Sequence, residues 1–404
     1  MRVAILTETF SPKMGYLQNN LTKYLAKLGV DVHLITMDLP PYYQLQDFQQ
    51  CYGSFAVSDG LKPGLVKPHD GYTLHVLSHR KRLGYMRMEG LWTKLKSLRP
   101  DVVQTIACIG WIPLDAIIAK PLLRYVVFTG CHTTASVFPL AQRPTSSTDL
   151  ELWRSRASRA MSGRVVSLLT ERCYAATVDC ADIAVRFFGV ETRKVDVCPL
   201  GIDIERFQPS QMQDGLEERD RIRRRFGFSD TDIVCIYTGR FTNDKNPLLL
   251  AQAISQLRDS SQSYKGLFVG DGIQGDAIKA KEGCVVHPFV PVDQLAQYFR
   301  SADIGVWPRQ ESMSMLDAAS CGIPIVVNDT LAATERIDGN GLKYKLDDVQ
   351  DLVRVLMELQ SPTVRKKLGQ TGAQRMAQEF SWEAIARRRL ADYETALNSG
   401  KRSA

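Results

Sequence analysis

Residues 308–328, PRQESMSMLDAASCGIPIVVN, contain the most informative pattern of the sequence. The apolar run at 303–307, just before them, predicts a short buried strand, and 323–327 predicts the next strand. Between the two strands, the pattern of 315–320 favours a short helix. The stretch therefore predicts a strand, a polar loop, a short helix and a second strand.

The ends of this short helix define a candidate anion site. Ser312 and Ser314 are candidate N-caps, and Gly322 occupies the position of a C-cap glycine. A helix N-terminus after a parallel strand presents free backbone N–H groups and the positive end of the helix dipole, which can hold phosphate. Glu311 and Asp317 flank this turn and could bind hydroxyls of the ligand. Alternatively, Glu311 is a solvated loop residue and Asp317 a surface helix residue.

The length and composition of the sequence predict a globular protein of two domains. Its 404 residues exceed one ordinary core, and its hydrophobic and charged contents of 44% and 24% are typical of globular proteins. The net charge of +7 favours anionic partners without naming one. The nine cysteines include no C-x-x-C pair, which favours reduced thiols in a cytosolic protein over disulfides or a zinc site. Without a signal-peptide layout or a membrane-spanning run, we expect a cytoplasmic protein, at most peripheral on the inner face of the membrane.

Alternating strand and helix patterns predict an α/β fold. The alternation starts at Arg2, stops at the Pro- and Gly-containing segment 199–209, and then resumes. It predicts two Rossmann-like, doubly wound domains whose parallel sheets face a central cleft. The alternation places the first domain in residues 1–200 and the second in residues 201–381.

Two cations follow the first strand of the second domain. Arg240 comes directly after Gly239 at the end of the predicted strand, and Lys245 follows in the same loop. Cations at the carboxyl end of a strand can neutralise a diphosphate, although solvated loop cations are the alternative. The next strand ends in a tight turn at Gly270, where the absence of a side chain permits close approach of a ligand.

The first domain offers two candidate positions. His132 lies beyond a predicted strand and should face the cleft, although a lone histidine is more often structural. Gly15, in the first loop, could allow a phosphate near its backbone. No G-x-G-x-x-G follows the first strand, which weighs against a dinucleotide cofactor. The D-x-D spacing at 230–232 precedes a strand, so it predicts a charged turn and not a metal site.

Basic residues recur beside apolar ones in the stretches 80–99 and 154–172. The second stretch, which includes Arg159, Arg164 and Arg172, is predicted to run along a long helix. This combination suits an anionic membrane surface, with a merely solvated face as the alternative. No recognition module for nucleic acid is evident, so nucleic-acid binding is not expected.

Several segments together carry a resemblance to a known family. In chain order they are RVAILTETFSPKMGYLQNNLTKYLAKLGVDVHLIT (2–36), GVETRKVDVCPLGIDIERFQP (189–209), TGRFTNDKNP (238–247), HPFVPVDQLAQYFRSADIGVWP (287–308) and FSWEAIARRRLADYE (380–394). In order and spacing they resemble the retaining glycosyltransferases of family 4, which have the GT-B fold. The resemblance covers nearly the whole length of the chain. It implies that residues 1–200 form the acceptor-side domain, which a C-terminal helix at about 382–400 completes, and that residues 201–381 bind the nucleotide sugar.

The resemblance implies a role for each candidate residue. Arg240 and Lys245 would hold the donor diphosphate, Glu311 and His132 would lie at the donor sugar, and Asp317 would bind the ribose hydroxyls. The other donor-binding positions that it implies are Gly15, Gly239, Gly270, Phe289, Val290, Ser312, Met313, Ser314 and Met315. It implies a nucleotide-sugar substrate, a UDP- or GDP-sugar, and neither a cofactor nor a metal.

The acidic loop departs from the family pattern. Five residues separate Glu311 from Asp317, where the family has about seven, and the second acidic residue is Asp. The segment 312–314, Ser-Met-Ser, stands where the family has Gly-Phe-Gly. These changes alter the wall of the expected sugar pocket.

The predicted function is retaining transfer of a sugar from a nucleoside diphosphate to a glycan or lipid-linked acceptor, as in envelope glycan or glycolipid synthesis. One alternative within the same fold is transfer to a small soluble sugar or sugar phosphate. Another is a nucleotide-sugar epimerase. A third, which the shortened acidic loop motivates, is a binder of nucleotide sugars that does not catalyse.

Overall fold

The computed structural model describes residues 1–41, 43, 61–135, 137–142, 150–210, 213–260, 262–331 and 334–402. These residues divide into two compact units. The first unit contains Met1–Pro41, Ser58–Leu200 and Trp382–Ala404, and the second has Gly201–Ser381 as its main segment. The chain therefore returns to the first unit after it has completed the second.

The first unit is built on a mostly parallel sheet. Its described strands are β1 (Arg2–Leu6), β2 (Asp31–Met37), β3 (Val66–His69), β4 (Tyr72–Leu77), β5 (His79–Arg82), β6 (Tyr85–Met88), β7 (Val102–Thr105), β8 (Val126–Cys131), β9 (Arg172–Ala175) and β10 (Val195–Val197). The sheet order is β10-β9-β8-β7-β1-β2-β4-β3, with only β3 antiparallel to its neighbour. Strands β5 and β6 form a separate antiparallel hairpin.

Helices cover this sheet and bury its apolar strands. The described helices of the unit are α1 (Leu17–Lys27), α2 (Leu91–Leu98), α3 (Trp111–Leu123), α4 (Pro139–Gln142), α5 (Leu150–Leu169), α6 (Val178–Arg186) and, from the end of the chain, α14 (Trp382–Arg402). Val3 and Ile5 of β1 are fully buried in the same core as Leu21 of α1 and Tyr393 of α14. A strand that is apolar on both faces is the expected result of covering a parallel sheet with helices on each side.

The second unit is a doubly wound sheet that is parallel throughout. Its described strands are β11 (Ile233–Arg240), β12 (Tyr264–Asp271), β13 (Cys284–His287), β14 (Ile304–Trp307), β15 (Ile325–Asn328) and β16 (Gly341–Tyr344). Its described helices are α7 (Gln213–Arg225), α8 (Pro247–Asp259), α9 (Gly275–Lys279), α10 (Val292–Ser301), α11 (Ser314–Ser320), α12 (Val349–Glu358) and α13 (Pro362–Glu379). The sheet order is β13-β12-β11-β14-β15-β16.

Each sheet contains one point at which the strand order reverses. In the second unit the chain moves outward from β11 to β13, then returns to the other side of β11 with β14. In the first unit the corresponding reversal lies between β1 and β7. The loops that leave the carboxyl ends of such a strand pair diverge and leave a crevice, which is where open α/β sheets bind ligands. The prediction of an α/β fold with two Rossmann-like parallel sheets is confirmed.

Two local predictions are wrong. Arg172 does not lie on a long helix with Arg159 and Arg164, because α5 ends at Leu169 and Arg172 opens β9. Neither Ser312 nor Ser314 is the N-cap of the short helix, which begins at Ser314 with Met313 as its N-cap. The side chains of positions 154 and 156 in the same basic stretch lie outside the described residues.

Candidate active site

The loops after β11 and β14 flank the reversal point of the second sheet. The loop after β11 carries Lys245, and the one after β14 carries Arg309 and Glu311. Lys245 Nζ donates a hydrogen bond of 3.0 Å to the backbone carbonyl of Glu311. Arg309 Nη1 donates one of 2.8 Å to the carbonyl of Asn243. Two hydrogen bonds in opposite directions therefore tie the two loops together at the carboxyl edge of the sheet.

The two predicted diphosphate cations lie at this edge. Arg240 closes β11, and its Nη2 pairs with Asp244 Oδ2 at 3.1 Å, with the side chain mostly buried. Burial lowers the pKa of Lys245 to about 8; Arg240 lowers it further, while Glu311 and Asp244 raise it. A largely desolvated ammonium beside a guanidinium favours a nearby anion, and the carboxylates of Asp244 and Glu311 act in that direction here. This pair of cations is suited to an anionic ligand.

Arg309 is a further residue of this edge that the sequence analysis missed. Its Nε and Nη2 bind Asp347 Oδ1 and Oδ2 at 2.8 and 2.7 Å, which is the two-pronged geometry of an Arg–carboxylate pair. Asp347 lies beyond β16, and its Oδ1 also accepts a hydrogen bond of 3.3 Å from Asn246 Nδ2. The position of Arg309 right after Pro308, at a strand end, was the available signal.

The glycines at the ends of β11 and β12 have a structural reason to be glycine. Gly239 and Gly270 are paired in register, and a Cβ on Gly270 would lie 1.9 Å from the carbonyl oxygen of Gly239. The close approach at Gly270 is therefore made by the neighbouring strand. This contact accounts for the glycine without any ligand.

The start of α11 differs from the predicted cap. The backbone N–H of Ser314 donates to Ser312 Oγ at 3.3 Å, while the N–H of Ser312 donates to Met315 Sδ at 3.4 Å. Met315 is fully buried, and Met313 packs at the edge of the core of the second unit. Side chains thus satisfy two of the backbone donors in this turn.

Asp317 lies on α11 in an environment that disfavours its charge. Burial raises the pKa of its carboxyl to about 8; Arg206 opposes this shift and the Asp203 carboxylate adds to it. Asp203 is itself buried, 4.0 Å from Arg206 Nη2. At neutral pH the Asp317 carboxyl is therefore mainly protonated, so it could donate as well as accept a hydrogen bond.

Two further predicted donor-binding residues of the second unit lie in the loop after β13. Phe289 and Val290 are half-buried in the loop between His287, where β13 ends, and α10. Val290 packs against the core of the unit. The two residues occupy the same carboxyl edge as Arg240 and Lys245.

His132 directly follows β8 in the first unit. Burial lowers its pKa to about 3, and the nearby Arg389 of α14 acts in the same direction, so the imidazole is neutral. Its Nδ1 is buried without a hydrogen-bond partner. A Cβ on Gly130 would lie 2.9 Å from His132 Nε2, which shows how closely the backbone approaches the ring.

A cavity of about 230 Å³ lies at the reversal point of the first sheet. The loops after β1 and β7 line it, with Glu8 and Thr9 from the first loop and Trp111 after the second, and Tyr85 of the hairpin adds a further ring. Gly15 lies farther along the first loop, where its carbonyl accepts a hydrogen bond of 3.0 Å from Asn20 Nδ2. The cavity combines a carboxylate, a hydroxyl and two aromatic rings, which is the chemistry that binds polyols.

The part of the chain that the structure describes lacks the features of two other kinds of site. Over those residues, no three His, Cys, Asp or Glu side chains come together in a way that could bind a metal ion. None of the described helices has both the length and the apolar character that crossing a bilayer requires.

Two curated relatives of the chain have the same name. The chain is 28% identical to D-inositol 3-phosphate glycosyltransferase of Geodermatophilus obscurus over 59% of its length and 56% of that protein. It is 26% identical to the protein of the same name from Streptomyces bingchenggensis, over 95% and 84% of the two chains. The chain thus spans little more than half the length of the first relatives that it matches. A glycan or lipid-linked acceptor, which the sequence predicted, is contradicted by this shared name.

Solved structures match the fold over nearly the whole chain. Sucrose-phosphate synthase from Thermosynechococcus elongatus has a TM-score of 0.71 at 16% identity and covers 98% of this chain and 99% of its own. Anabaena HepE in complex with UDP has a TM-score of 0.69 at 14% identity and covers 98% and 100%. At these identities the likeness is one of fold alone, the GT-B fold.

Two family models match the sequence, one in each unit. The model described as Glycosyltransferase Family 4 matches residues 18–206, and the one described as Glycosyl transferases group 1 matches residues 232–361. Together they cover more than three quarters of the 404 residues. The chain belongs to the family 4 glycosyltransferases.

Proposed function

We propose that the protein transfers a sugar from a nucleoside diphosphate sugar to a small soluble acceptor that carries a phosphate, with retention of anomeric configuration. The observation that supports this proposal best is the meeting of Arg240, Lys245 and Glu311 at the reversal point of the second sheet. A diphosphate leaving group needs cations held in place before the reaction, and this edge provides two.

The acceptor in this proposal replaces the glycan or lipid-linked one predicted from the sequence. The relatives are named for an inositol phosphate, which is small and soluble. Two of the basic residues that led to the membrane hypothesis have carboxylate partners inside the first unit. Arg87 forms a two-pronged pair with the buried Asp115 at 2.7 and 2.8 Å, and Arg80 pairs with Glu89 at 3.2 Å. Their charges are therefore partly neutralised within the protein.

On the donor side, we propose a uridine diphosphate sugar. The solved structures of HepE contain UDP or UDP-glucose, which supports this class of donor. Departure of the diphosphate builds negative charge, which Arg240 and Lys245 would stabilise without a metal ion. Same-face attack by the acceptor, assisted by the departing phosphate, would give retention without a carboxylate nucleophile.

On the acceptor side, we propose the cavity at the reversal point of the first sheet as the polyol site. The carboxylate of Glu8 and the hydroxyl of Thr9 would accept and donate hydrogen bonds to ring hydroxyls. The rings of Tyr85 and Trp111 would pack against the apolar face of a cyclic polyol. A volume of about 230 Å³ suits a single six-membered ring.

A matrix of donors and acceptors tests the proposal. The purified full chain is incubated with UDP-, GDP- or ADP-glucose and with inositol 3-phosphate, glucose 6-phosphate or unphosphorylated inositol, and nucleotide release is followed. We expect release that requires the phosphorylated acceptor, and a product whose anomeric configuration NMR finds retained. Free epimerised sugar would instead identify an epimerase, and nucleotide binding without turnover in any combination would identify a binder.

Substitution of Lys245 connects this activity to the site. Lys245→Ala should lower kcat about 100- to 1,000-fold, because a preorganised charge at the leaving group is lost. Lys366→Ala, which removes an exposed lysine of α13, is the matched control and should keep wild-type kcat. Equal activities of the two variants would remove Lys245 from the proposed mechanism.

A further inference from the structure

Arg309 is held on a rigid base at the carboxyl edge of the second sheet. The carbonyl of Pro308, the residue before it, accepts hydrogen bonds from Asn328 Nδ2 at 3.1 Å and from Tyr344 Oη at 2.6 Å. Asn328 ends β15 and Tyr344 ends β16, and both are buried. The backbone at Arg309 is therefore fixed by the ends of β15 and β16, the next two strands of the sheet.

From this base, the guanidinium reaches two other segments. Nε and Nη2 bind both carboxylate oxygens of Asp347, beyond β16, and Nη1 binds the carbonyl of Asn243, in the loop after β11. A planar guanidinium has several N–H donors in a fixed arrangement, so it can hold both partners at once. A lysine, with one charged nitrogen on a flexible stem, could not reproduce this geometry.

These contacts fall on both sides of Lys245. Asn243 lies two residues before it and bonds Arg309 through its carbonyl, while Asn246 lies directly after it and bonds Asp347 through its side chain. Asn246 has a positive φ of 49°, so the backbone turns sharply at this point. Arg309 and Asp347 together anchor the loop shortly before and directly after Lys245, the residue that carries the ammonium group.

We propose that Arg309 is a positioning residue that, together with Asp347, fixes the loop carrying Lys245 against the leaving phosphate. This inference rests on the proposed function, since it gives Lys245 its task there. The side chains of Arg309 and Asp347 are 37% and 40% exposed, and exposed ion pairs contribute little to folding. If this ion pair only stabilised the fold, its removal would therefore change the free energy of unfolding very little.

Kinetics of single and double variants test the proposal. Arg309→Met and Asp347→Asn should each lower kcat about 10- to 100-fold, because a small displacement of a catalytic group costs that much. The KM for the donor should change less than about threefold and Tm by no more than about 3 °C. The double variant should be no slower than the slower single variant, because both substitutions release the same loop.

Two further variants sharpen this comparison. Arg309→Lys keeps the charge but not the planar fork, so it should recover only part of the lost kcat. Arg354→Met removes another half-exposed arginine that pairs with Asp351 and Glu358 of its own helix, and it should behave as the wild type. Full activity of Arg309→Met, or losses that multiply in the double variant, would overturn the positioning role.

A second readout does not depend on turnover. Competitive acetylation of the full chain at a series of pH values, followed by mass spectrometry, measures the pKa and reactivity of the Lys245 amine. Release of the loop should expose this amine and move its pKa upward from about 8 in Arg309→Met and Asp347→Asn, but not in Arg354→Met. Unchanged labelling in both variants would overturn the positioning role, whether or not the wild type transfers a sugar. Absence of sugar transfer by the wild type would instead contradict the proposed function.

Discussion

Lys245 illustrates, at the scale of the residue, how surroundings set the charge of a side chain. Burial lowers its pKa to about 8, so the ammonium that would face the leaving group is lost within the working range of most enzymes. We expect kcat/KM for the donor to decline about tenfold per pH unit above pH 8, since this parameter reports groups of the free enzyme. A profile from pH 6 to 10 measures it.

Lys245→Arg provides the control for this profile. Arginine stays charged throughout the range, so the variant should show no decline above pH 8, whatever its absolute rate. A decline that persists unchanged in the variant would assign it to another group.

The pKa of Asp317 is shifted in the opposite direction, upward, and this shift leads to a prediction about stability. Its folded-state pKa of about 8 lies above the unfolded value of 3.8, so the folded state binds the extra proton between these values. The free energy of unfolding should therefore fall as pH rises from about 4 to 8. Asp317→Asn, which cannot ionise, should be more stable than the wild type at pH 8, by about 1.4 kcal/mol for each unit by which the two pKa values differ, and should match it near pH 4.

Urea unfolding at pH 4.5 and 8 measures this difference. Asp293→Asn, at the start of α10, changes a carboxylate in the same unit and serves as the control. A stability gain for Asp317→Asn that is the same at both pH values would contradict the shifted pKa.

Single residues also show what the sequence could and could not predict about the site. Arg240 and Lys245 follow an apolar run, and such positions fall at the carboxyl edge of a parallel sheet whatever the rest of the chain does. The pair of Arg309 with Asp347 joins residues 38 positions apart through strand β16. No local pattern carries that information, because it depends on which strands become neighbours.

At the scale of the element, strands β11 and β12 depend on two facing glycines. A methyl group at position 270 would lie 1.9 Å from the Gly239 carbonyl oxygen, a backbone atom that the pairing of the two strands holds in place. Gly270→Ala should therefore destabilise the protein by roughly 2–4 kcal/mol. Gly275→Ala is the control, because its new methyl group would meet its nearest neighbour, Phe241, at an ordinary 3.7 Å.

Chemical denaturation of the two variants checks this prediction. A midpoint for Gly270→Ala equal to that of Gly275→Ala would show that the strands can separate at this point without cost. Loss of donor binding without loss of stability would instead return the glycine to the ligand-approach role that the sequence analysis gave it.

Helices and strands were predictable from the sequence where the apolar periodicity was strong. They were unpredictable where a tertiary contact determined the end of the element. The apolar run before position 308 predicted β14, and its pattern required no knowledge of the rest of the chain. The N-cap of α11 was misplaced by one position, since the sulfur of the buried Met315 accepts the N–H of Ser312. A propensity scale cannot anticipate that contact, which forms only once the core has packed.

At the scale of the whole molecule, the first unit is assembled from separated stretches of chain. Tyr393 of α14 is fully buried, bonds Gln104 of β7 and contacts the ring of Phe128 at 4.9 Å between centroids. Tyr393→Ala should cost about 3–5 kcal/mol, as the loss of a large buried aromatic side chain does. Hydrogen exchange should lose protection in the first unit and keep it in the second.

Glu394→Ala is the control for this experiment, because Glu394 is the exposed neighbour of Tyr393 on the same helix. Equal loss of protection in both units would show that they unfold as one cooperative block. No loss in either unit would show that α14 contributes little to the first core.

The late arrival of α14 has a consequence for synthesis on the ribosome. The strands of the first unit emerge early, yet one wall of their core lies on a helix that is translated only after Gly201–Ser381. At about 5–20 residues per second, that wait lasts on the order of 10 s or more. The unit translated second can thus reach its native state before the unit translated first, and the nascent amino-terminal half must avoid aggregation in the meantime.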